Sequence, residues 1–161
     1  MGAKEFDYYV FVDYSKNLIG YLILGKDNLK DCLSKISRFR HYRESKQRKL
    51  YLKNTKRTFD KKEVLNCFLK KKIRNVLETP EIFTDIAEFL KKNNSLSIFV
   101  SVDDRQYQNF ENFVKIIDGK NVKVVKESKL RKSTPEYQIN LVLDTWLNME
   151  RVKYDKQCRN I

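Results

Sequence analysis

The run from Leu96 to Val102 is the segment that most constrains the fold of this chain. It is nearly all apolar, it is rich in β-branched and aromatic side chains, and it ends in Asp103 and Asp104. Near-continuous apolar runs of this length are typical of strands that are buried on both faces, as in sheets with parallel pairing. The chain is therefore expected to be an α/β domain.

The patterns around this run predict a mixed sheet. Two β-rich runs, 8–13 and 18–24, flank turn-forming residues and predict an antiparallel hairpin. Further short strands are predicted at 50–52 and 122–125, and helices at 29–42, 60–77, 80–92, 107–117 and from 135 onward. The helix at 60–77 would begin with a capping box formed by Asp60 and Glu63. The expected order is β-β-α-β-α-α-β-α-β-α in one domain, 1–161, with later strands added by βαβ crossovers and a frayed tail at 154–161.

The positive charge is concentrated in one part of the chain. The net charge is +13, and residues 35–74 hold 16 Lys/Arg against 3 Asp/Glu, whereas the rest of the chain holds 18 of each. A block of one sign is typical of a surface that binds phosphate groups. Nucleic acid, either DNA or RNA, is therefore the expected partner. A solvated face, an acidic protein and an anionic membrane are the alternatives.

A basic helical insertion at 27–57 supplies the candidate nucleic-acid-binding residues. Tyr42 and Tyr51 lie among them and would either stack on unpaired bases or pack within the protein. His41 is the only histidine of the chain and is interpreted as part of the basic face. Lys70, Lys71, Lys72 and Arg74, on the next predicted helix, would either extend that face or form the solvated side of their helix. The candidates are Arg38, Arg40, His41, Arg43, Lys46, Arg48, Lys49, Lys53, Lys56 and Arg57.

Several classes of protein do not fit the composition. The three cysteines are odd in number and widely spaced, which does not fit a disulfide framework or a zinc site. Four glycines are too few for the phosphate loops of nucleotide-binding domains, so no nucleotide cofactor is expected. No apolar run approaches the length of a membrane span. We expect a cytoplasmic protein with reduced thiols and no membrane partner.

Acidic side chains follow two of the predicted strands. Asp13 ends the first strand, and Asp103 and Asp104 follow the run at 96–102. If these strands are adjacent and parallel, their carboxyl ends lie side by side, where open α/β sheets bind ligands. Converging carboxylates bind Mg²⁺ or Mn²⁺, and such ions support hydrolysis of phosphodiesters. In the alternative interpretation each aspartate only forms a turn or caps a helix, as Asp104 in particular would do.

Four short motifs stand in an order that resembles a known family. They are Phe-Val-Asp-Tyr-Ser at 11–15, Leu-Tyr-Leu-Lys at 50–53, Phe-Val-Ser-Val-Asp at 99–103 and Ser-Thr-Pro-Glu-Tyr-Gln-Ile-Asn-Leu at 133–141. With a helix inserted after the opening hairpin, this order resembles the uncharacterised prokaryotic family called domain of unknown function 3800, in the ribonuclease-H-like superfamily. The resemblance implies a three-layer ribonuclease-H-like domain that is a metal-dependent nuclease or a relative of one.

The resemblance also bears on individual residues. The family's last helical aspartate falls on Leu141 here, whereas Asp144 lies three residues later on nearly the same helical face. Asp144 would replace it, or Glu136 would, or the site is incomplete. The predicted catalytic and metal-binding residues are Asp13, Asp103 and Asp144, with Asp104 in reserve and Mg²⁺ or Mn²⁺ as the ion. Glu63 could also serve as a helical acid, but its capping role is preferred.

The leading hypothesis is therefore a nucleic-acid-binding protein with a metal-dependent nuclease site. Its first alternative is a non-catalytic nucleic-acid-binding protein on the same fold, with structural carboxylates. Its second is a protein-interaction module with an acidic partner. Cleavage that requires both a divalent metal and the carboxylates would distinguish the first hypothesis from the other two.

Overall fold

A computed structural model describes residues 5–37, 39–117 and 120–159. In this part of the chain the elements follow the order β-β-α-α-β-α-β-α-β-α. The strands are β1 (Tyr8–Ser15), β2 (Leu18–Gly25), β3 (Lys70–Asn75), β4 (Ile98–Val102) and β5 (Val122–Lys126). The helices are α1 (Leu29–Lys35), α2 (Arg48–Lys62), α3 (Thr79–Lys92), α4 (Tyr107–Ile116) and α5 (Pro135–Arg159).

The strands form one mixed sheet in the order β3-β2-β1-β4-β5. β1 and β2 form the predicted antiparallel hairpin, in which Tyr8 lies opposite Gly25 and Ser15 opposite Leu18. β3 is antiparallel to β2, whereas β4 is parallel to β1 and β5 is parallel to β4. The predicted α/β class and mixed sheet are confirmed. The carboxyl ends of β1, β4 and β5 consequently lie at one edge of the sheet.

Helices cover the sheet on both faces. Phe11 of β1 and Phe99 of β4 face the side occupied by α1, α2 and α5, where side chains such as Leu143 complete one hydrophobic cluster. The other face packs against α3 and α4 through a second cluster, which includes Val10 and Ile86. The alternation of side chains along each strand therefore assigns odd-numbered residues of β1 and β4 to the α5 face.

A glycine lets α5 approach the sheet closely. A Cβ atom added at Gly20 would lie 3.1 Å from a methyl group of Leu147 and 3.0 Å from Ile73. Both distances are tighter than most contacts of a Cβ atom, so a larger residue here would require Leu147 and Ile73 to shift by a few tenths of an ångström. This close packing places α5 directly over β2, the strand that pairs with β1.

The strand predicted at 50–52 is wrong, because these residues belong to α2. Tyr51, Thr55 and Phe59 are buried at intervals of four residues, which is the spacing of one helical face. The rest of the helix is dominated by exposed basic residues, so its narrow apolar stripe resembled a short strand. As a result, a second helix, and not a strand, follows α1 and precedes β3.

The helix predicted at 60–77 is also wrong. Asp60 lies inside α2 and therefore does not cap a helix start, and Glu63 follows the end of that helix in a left-handed conformation with φ of 48°. A short 3₁₀ turn and then β3 replace the predicted helix. β3 is an edge strand with only one apolar side chain, Ile73, so it lacks the pattern of a buried strand.

The C-terminal helix α5 continues through Arg159, into the segment 154–161 where fraying was predicted. None of the helices in the described residues combines the length and apolar character needed to cross a membrane.

Candidate metal centre

Three carboxylates meet at the edge formed by the carboxyl ends of three neighbouring strands. Asp13 lies near the end of β1, Asp103 directly follows β4, and Glu127 directly follows β5. One oxygen atom from each of the three side chains lies within 4.8 Å of the other two. We call Asp13, Asp103 and Glu127 the carboxylate site. The predicted convergence of Asp13 and Asp103 is present, and a third acidic residue joins them.

Asp13 is the most buried member of the carboxylate site, with 4% of its surface exposed. Its Oδ1 accepts a hydrogen bond of 2.8 Å from the backbone N–H of Tyr14. Burial, followed by the negative charges of Glu127 and Asp144, raises the pKa of Asp13 well above its usual value. A carboxylate in this position gains from any group that compensates its charge, either a proton or a cation.

Glu127 is held by α5. Asn140 donates a hydrogen bond of 2.8 Å from Nδ2 to Oε1 of Glu127. Burial raises the pKa of Glu127, and the hydrogen bonds from Asn140 and Asp13 only partly oppose this shift. The amide oxygen of Asn140 is buried and has no hydrogen-bond partner among the described residues. Asn140 therefore orients one ligand and leaves a neutral oxygen acceptor available beside it.

Asp103 combines a capping role with its place in the carboxylate site. Its Oδ1 accepts hydrogen bonds from the backbone N–H of Arg105 at 2.9 Å and from Nε of the same residue at 3.1 Å. The carboxylate thus caps the short 3₁₀ turn that follows β4. Only Oδ1 makes these contacts, so the second oxygen remains available for a ligand. Both interpretations of Asp103 therefore apply together.

Asp104 points to a different partner. It contacts the hydroxyl of Ser128 and accepts a hydrogen bond of 3.1 Å from the backbone N–H of the same residue. These hydrogen bonds lower the pKa of Asp104. The contact joins the turns that follow β4 and β5, and so it holds Asp103 and Glu127 near each other.

Asp144 lies on α5, and its carboxylate contacts the segment that precedes α2. Its Oδ2 accepts a hydrogen bond of 3.0 Å from the backbone N–H of Tyr42, and its Oδ1 lies 3.9 Å from Nε2 of His41. Asn148 donates to its backbone oxygen at 2.8 Å. Burial raises the pKa of Asp144, and the charge of His41 opposes this shift.

The three predicted ligands therefore have different positions. Asp13 and Asp103 belong to the carboxylate site, whereas Asp144 is buried beside it and is not one of the three residues whose oxygens lie within 4.8 Å. Its charge nevertheless raises the pKa of both Asp13 and Glu127. Asp144 is thus near the site, and its role as a ligand stays a prediction.

The residues of the carboxylate site suit a divalent cation. Carboxylate oxygens are the hard ligands that Mg²⁺ and Mn²⁺ prefer, and the free amide oxygen of Asn140 is of the same kind. Three carboxylates at this separation repel one another, and Arg105 makes an ion pair with only one of them, Asp103. A cation would relieve that repulsion, so the donor set fits a metal centre.

Glu127 and Asn140 were missed by the sequence interpretation. Glu127 follows β5 directly, as Asp103 follows β4, so the rule that identified Asp103 also applies to it. It went unnoticed because it begins a polar stretch, Glu-Ser-Lys, after a strand whose apolar character is weak. Asn140 has no signal in the sequence, since its role depends on the rotation of α5.

The basic residues predicted to bind nucleic acid are on α2 and in the segment before it. Within the described residues all of them are exposed except His41, which is half-buried, and Arg38 lies outside the described residues. Five are on α2, on the faces that do not pack against the core: Arg48, Lys49, Lys53, Lys56 and Arg57. Four precede the helix: Arg40, His41, Arg43 and Lys46.

The two tyrosines of this region have structural roles. Tyr51 is buried, and its hydroxyl contacts the backbone N–H and C=O of Arg40 at 2.9 and 2.7 Å and the hydroxyl of Thr145 at 2.9 Å. Of the two alternatives for Tyr51, packing within the protein is confirmed, because its side chain is buried. Tyr42 is half-buried, with the guanidinium carbons of Arg48 and Arg151 at 5.4 and 5.7 Å from its ring centre.

The predicted extension of the basic face to residues 70–74 does not hold for Lys72 and Arg74. Both lie on β3 rather than on a helix, and both make ion pairs with α3. Lys72 contacts Glu81 at 3.1 Å and also Asp85, and Arg74 contacts Glu81 at 3.2 Å. Their charge is thereby compensated within the protein.

The chain is similar to part of a much longer known protein. The chain is 30% identical over 148 residues to the CRISPR-associated endoribonuclease Cas13a of Leptotrichia buccalis. The aligned part covers 88% of this chain but only 12% of that protein, so the chain spans a small fraction of its relative's length. No protein-family profile matches the chain.

Proposed function

We propose that this protein binds nucleic acid and hydrolyses phosphodiester bonds with the help of a divalent metal, on a ribonuclease-H-like fold. The observation that carries the proposal is the convergence of Asp13, Asp103 and Glu127 from three neighbouring strands. The five-stranded mixed sheet with helices on both faces is consistent with the three-layer domain that the family resemblance implies.

Different side chains would bind the metal, orient one of its ligands and add negative charge beside it. Asp13, Asp103 and Glu127 would hold Mg²⁺ or Mn²⁺, Asn140 would orient Glu127, and Asp144 would add negative charge beside them. When bound, the metal activates water and stabilises the leaving oxygen of a phosphodiester. The hydrogen bond from the backbone N–H of Tyr14 would orient the carboxylate of the buried Asp13.

The exposed cations of α2 would bind the phosphate backbone. The segment before α2 is anchored to α5 at Asp144, next to the carboxylate site, so the basic helix and the acidic residues share one side of the sheet. Without such cations, the negative charge of the acidic residues would repel a polynucleotide. The similarity to an endoribonuclease supports RNA as the substrate.

The proposal is tested by cleavage of labelled RNA and DNA, single- and double-stranded, in Mn²⁺ and in EDTA. We expect RNA cleavage that requires Mn²⁺ and that Asp13→Asn lowers about a thousandfold or more, since a metal contributes several kcal/mol to such reactions. Asp27→Asn removes a charge from an exposed position outside the site and should leave the rate unchanged. Cleavage that survives Asp13→Asn would contradict the assignment.

A second candidate is a nucleic-acid-binding protein without catalysis. The observation that favours it is the capping role of Asp103, which explains this carboxylate without a metal. In the same experiment this candidate predicts RNA binding that depends on salt, with no cleavage in either Mn²⁺ or EDTA.

A further inference from the structure

Two arginines from distant parts of the chain meet at one aromatic ring beside the carboxylate site. Arg48 begins α2, within the basic part of the chain, whereas Arg151 is on α5. Their guanidinium carbons lie 5.4 and 5.7 Å from the centre of the Tyr42 ring. Guanidinium groups pack favourably on aromatic faces, so the ring provides a platform for two positive charges.

The platform itself is fixed in place. The backbone N–H of Tyr42 donates to Asp144 on α5, and the backbone oxygen of Arg43 accepts a hydrogen bond of 3.3 Å from the Arg48 guanidinium. Arg48 is exposed, so its remaining N–H donors face solvent. The ring and the first arginine therefore have a defined position at the start of α2.

The guanidinium group of Arg151 makes more contacts with the protein than that of Arg48 does. Its Nε donates to the Ser15 hydroxyl at 3.1 Å, and one terminal nitrogen donates to Oδ1 of Asn148 at 3.2 Å. Its other terminal nitrogen lies 3.5 Å from Asp155. A guanidinium has five N–H donors in a rigid plane, so these contacts orient the group, and its remaining donors belong to a side chain that is 14% exposed.

The charge around this platform is only partly balanced within the protein. Asp155 is paired with Arg151, and it also lies 3.9 Å from the ammonium group of Lys16. Arg48 makes no ion pair among the described residues, while its guanidinium contacts the ring of Tyr42, as that of Arg151 does. An anion that approaches this ring is therefore attracted by both guanidinium charges.

We call the Tyr42 ring with Arg48 and Arg151 the arginine platform. It is connected to the carboxylate site through β1 and α5. Ser15, which contacts Arg151, lies two residues after Asp13 on the same face of β1. Asn148, which also contacts Arg151, lies one helical turn after Asp144 and donates to it. A strand whose phosphate lies at Asp13 would therefore reach the platform with a neighbouring phosphate.

We propose that Arg48 and Arg151 contact the phosphate backbone of the nucleic acid next to the phosphate at the carboxylate site. This proposal rests on the proposed function and specifies a subsite for the same substrate. Arginine suits this role because its planar fork can donate two parallel hydrogen bonds to phosphate oxygens. Arg151 lies outside the basic part of the chain, so charge counting does not reveal it.

The test is RNA binding in EDTA, where no metal-dependent cleavage occurs. A fluorescent single-stranded RNA of twelve nucleotides is titrated with wild type, Arg48→Gln, Arg151→Gln and the double variant over a series of salt concentrations. Lys153→Gln is the matched control, because Lys153 is an exposed cation on the same helix as Arg151. The readout is the slope of log Kobs against log[salt].

Each single variant should bind RNA about fivefold more weakly at 0.1 M salt and reduce the slope by about 0.7, as expected for one lost phosphate contact on a single strand. The double variant should reduce the slope by about 1.4, since each arginine contributes one phosphate contact on a single strand. Lys153→Gln should retain the wild-type slope. Arg151→Lys keeps the charge and should regain most of the slope, although it lacks the fork.

Slopes for Arg48→Gln and Arg151→Gln that equal that of Lys153→Gln would overturn the subsite. Arg48 is exposed, so its variant carries the test even if Arg151→Gln unfolds. Mn²⁺-dependent cleavage by the wild type, together with unchanged slopes, would overturn only the subsite. Changed slopes without any cleavage would support the subsite and overturn the nuclease proposal.

Discussion

Two clusters of carboxylates lie on opposite faces of the same sheet, and they differ in what surrounds them. On the α5 face, Asp13, Asp103 and Glu127 have mainly one another as charged neighbours. On the α3 face, Glu81 and Asp85 contact Lys72, Arg74 and the hydroxyl of Tyr21; we call these five residues the paired cluster. The first cluster has one cation, Arg105, which pairs with Asp103 alone, whereas the second contains a cation against each carboxylate.

The pKa values follow from this difference. Burial raises the pKa of Asp85, but hydrogen bonds from Lys72 and Tyr21 outweigh it and the net shift is downward. Asp13 is more deeply buried than Asp85, and its charged neighbours are Glu127 and Asp144, so its pKa moves upward. The paired cluster is compensated by its own cations, whereas Asp13 and Glu127 gain compensation from protons or from a cation in solution.

The basic residues also differ in whether acidic groups pair with them, and this difference predicts the largest change in RNA affinity. Lys72 and Arg74 are used in the paired cluster, whereas Lys53, Lys56 and Arg57 on α2 make no ion pairs among the described residues. Changing these three α2 residues to Gln should weaken RNA binding about a hundredfold at 0.1 M salt, since each phosphate contact releases counterions. Fluorescence anisotropy of labelled RNA measures this change.

The control for that experiment removes three exposed cations elsewhere. Lys91 and Lys92 end α3 and Lys115 is on α4, and all three are exposed. Their combined change to Gln should lower RNA affinity by much less than the α2 triple variant does. Equal losses for the two triple variants would show that only net charge matters and that α2 is not a binding surface.

Metal binding provides the second way to separate the two clusters. Saturating Mn²⁺ should stabilise the wild type by about 3 kcal/mol at a hundred times its Kd, which corresponds to a Tm increase of about 5–10 °C for a domain of this size. Asp13→Asn should abolish the increase, whereas Asp85→Asn should retain it. Thermal unfolding followed by circular dichroism, with and without Mn²⁺, gives the comparison; an equal increase in Asp13→Asn would contradict the metal site.

The sequence predicted the strands of the site better than its full set of ligands. β1, β2, β4 and β5 were predicted because each contains an apolar run, and the two aspartates were found because they end such runs. β3 was missed because lysines dominate an edge strand whose outer side faces solvent. The character of α2 was missed because only three of its positions are buried, and the remainder is basic.

The partners of the acidic groups could not be predicted for a different reason. Asp144 was selected for its helical spacing, yet its contacts with Tyr42 and His41 depend on how the segment before α2 crosses α5. Lys72 and Arg74 contributed to the charge count although Glu81 and Asp85 neutralise them across an element boundary. Charge in the sequence counts side chains, whereas binding depends on which of them remain unpaired after folding.

The pH dependence of the free energy of unfolding should show the smallest effect, and it tests the difference between the two clusters most directly. The pKa of Asp13 is raised from its usual 3.8, so above pH 3.8 the folded protein binds this proton more tightly than the unfolded chain does. In EDTA, the contribution of Asp13 to the free energy of unfolding is therefore fully present at low pH and is lost as the pH rises through the raised pKa. Glu127 and Asp144 have the same sign, because their pKa values are also raised.

Asp85 should behave in the opposite way. Its lowered pKa means that its contribution is present above pH 3.8 and is lost as the pH falls through the lowered value. Urea unfolding in EDTA at a series of pH values should therefore show that Asp13→Asn reduces the fall in stability between pH 4 and neutral pH. Asp85→Asn should instead reduce the loss at acidic pH. If both variants have the same pH profile as the wild type, the two clusters do not differ in charge compensation. If only the Asp13→Asn profile differs, the imbalance belongs to the carboxylate site.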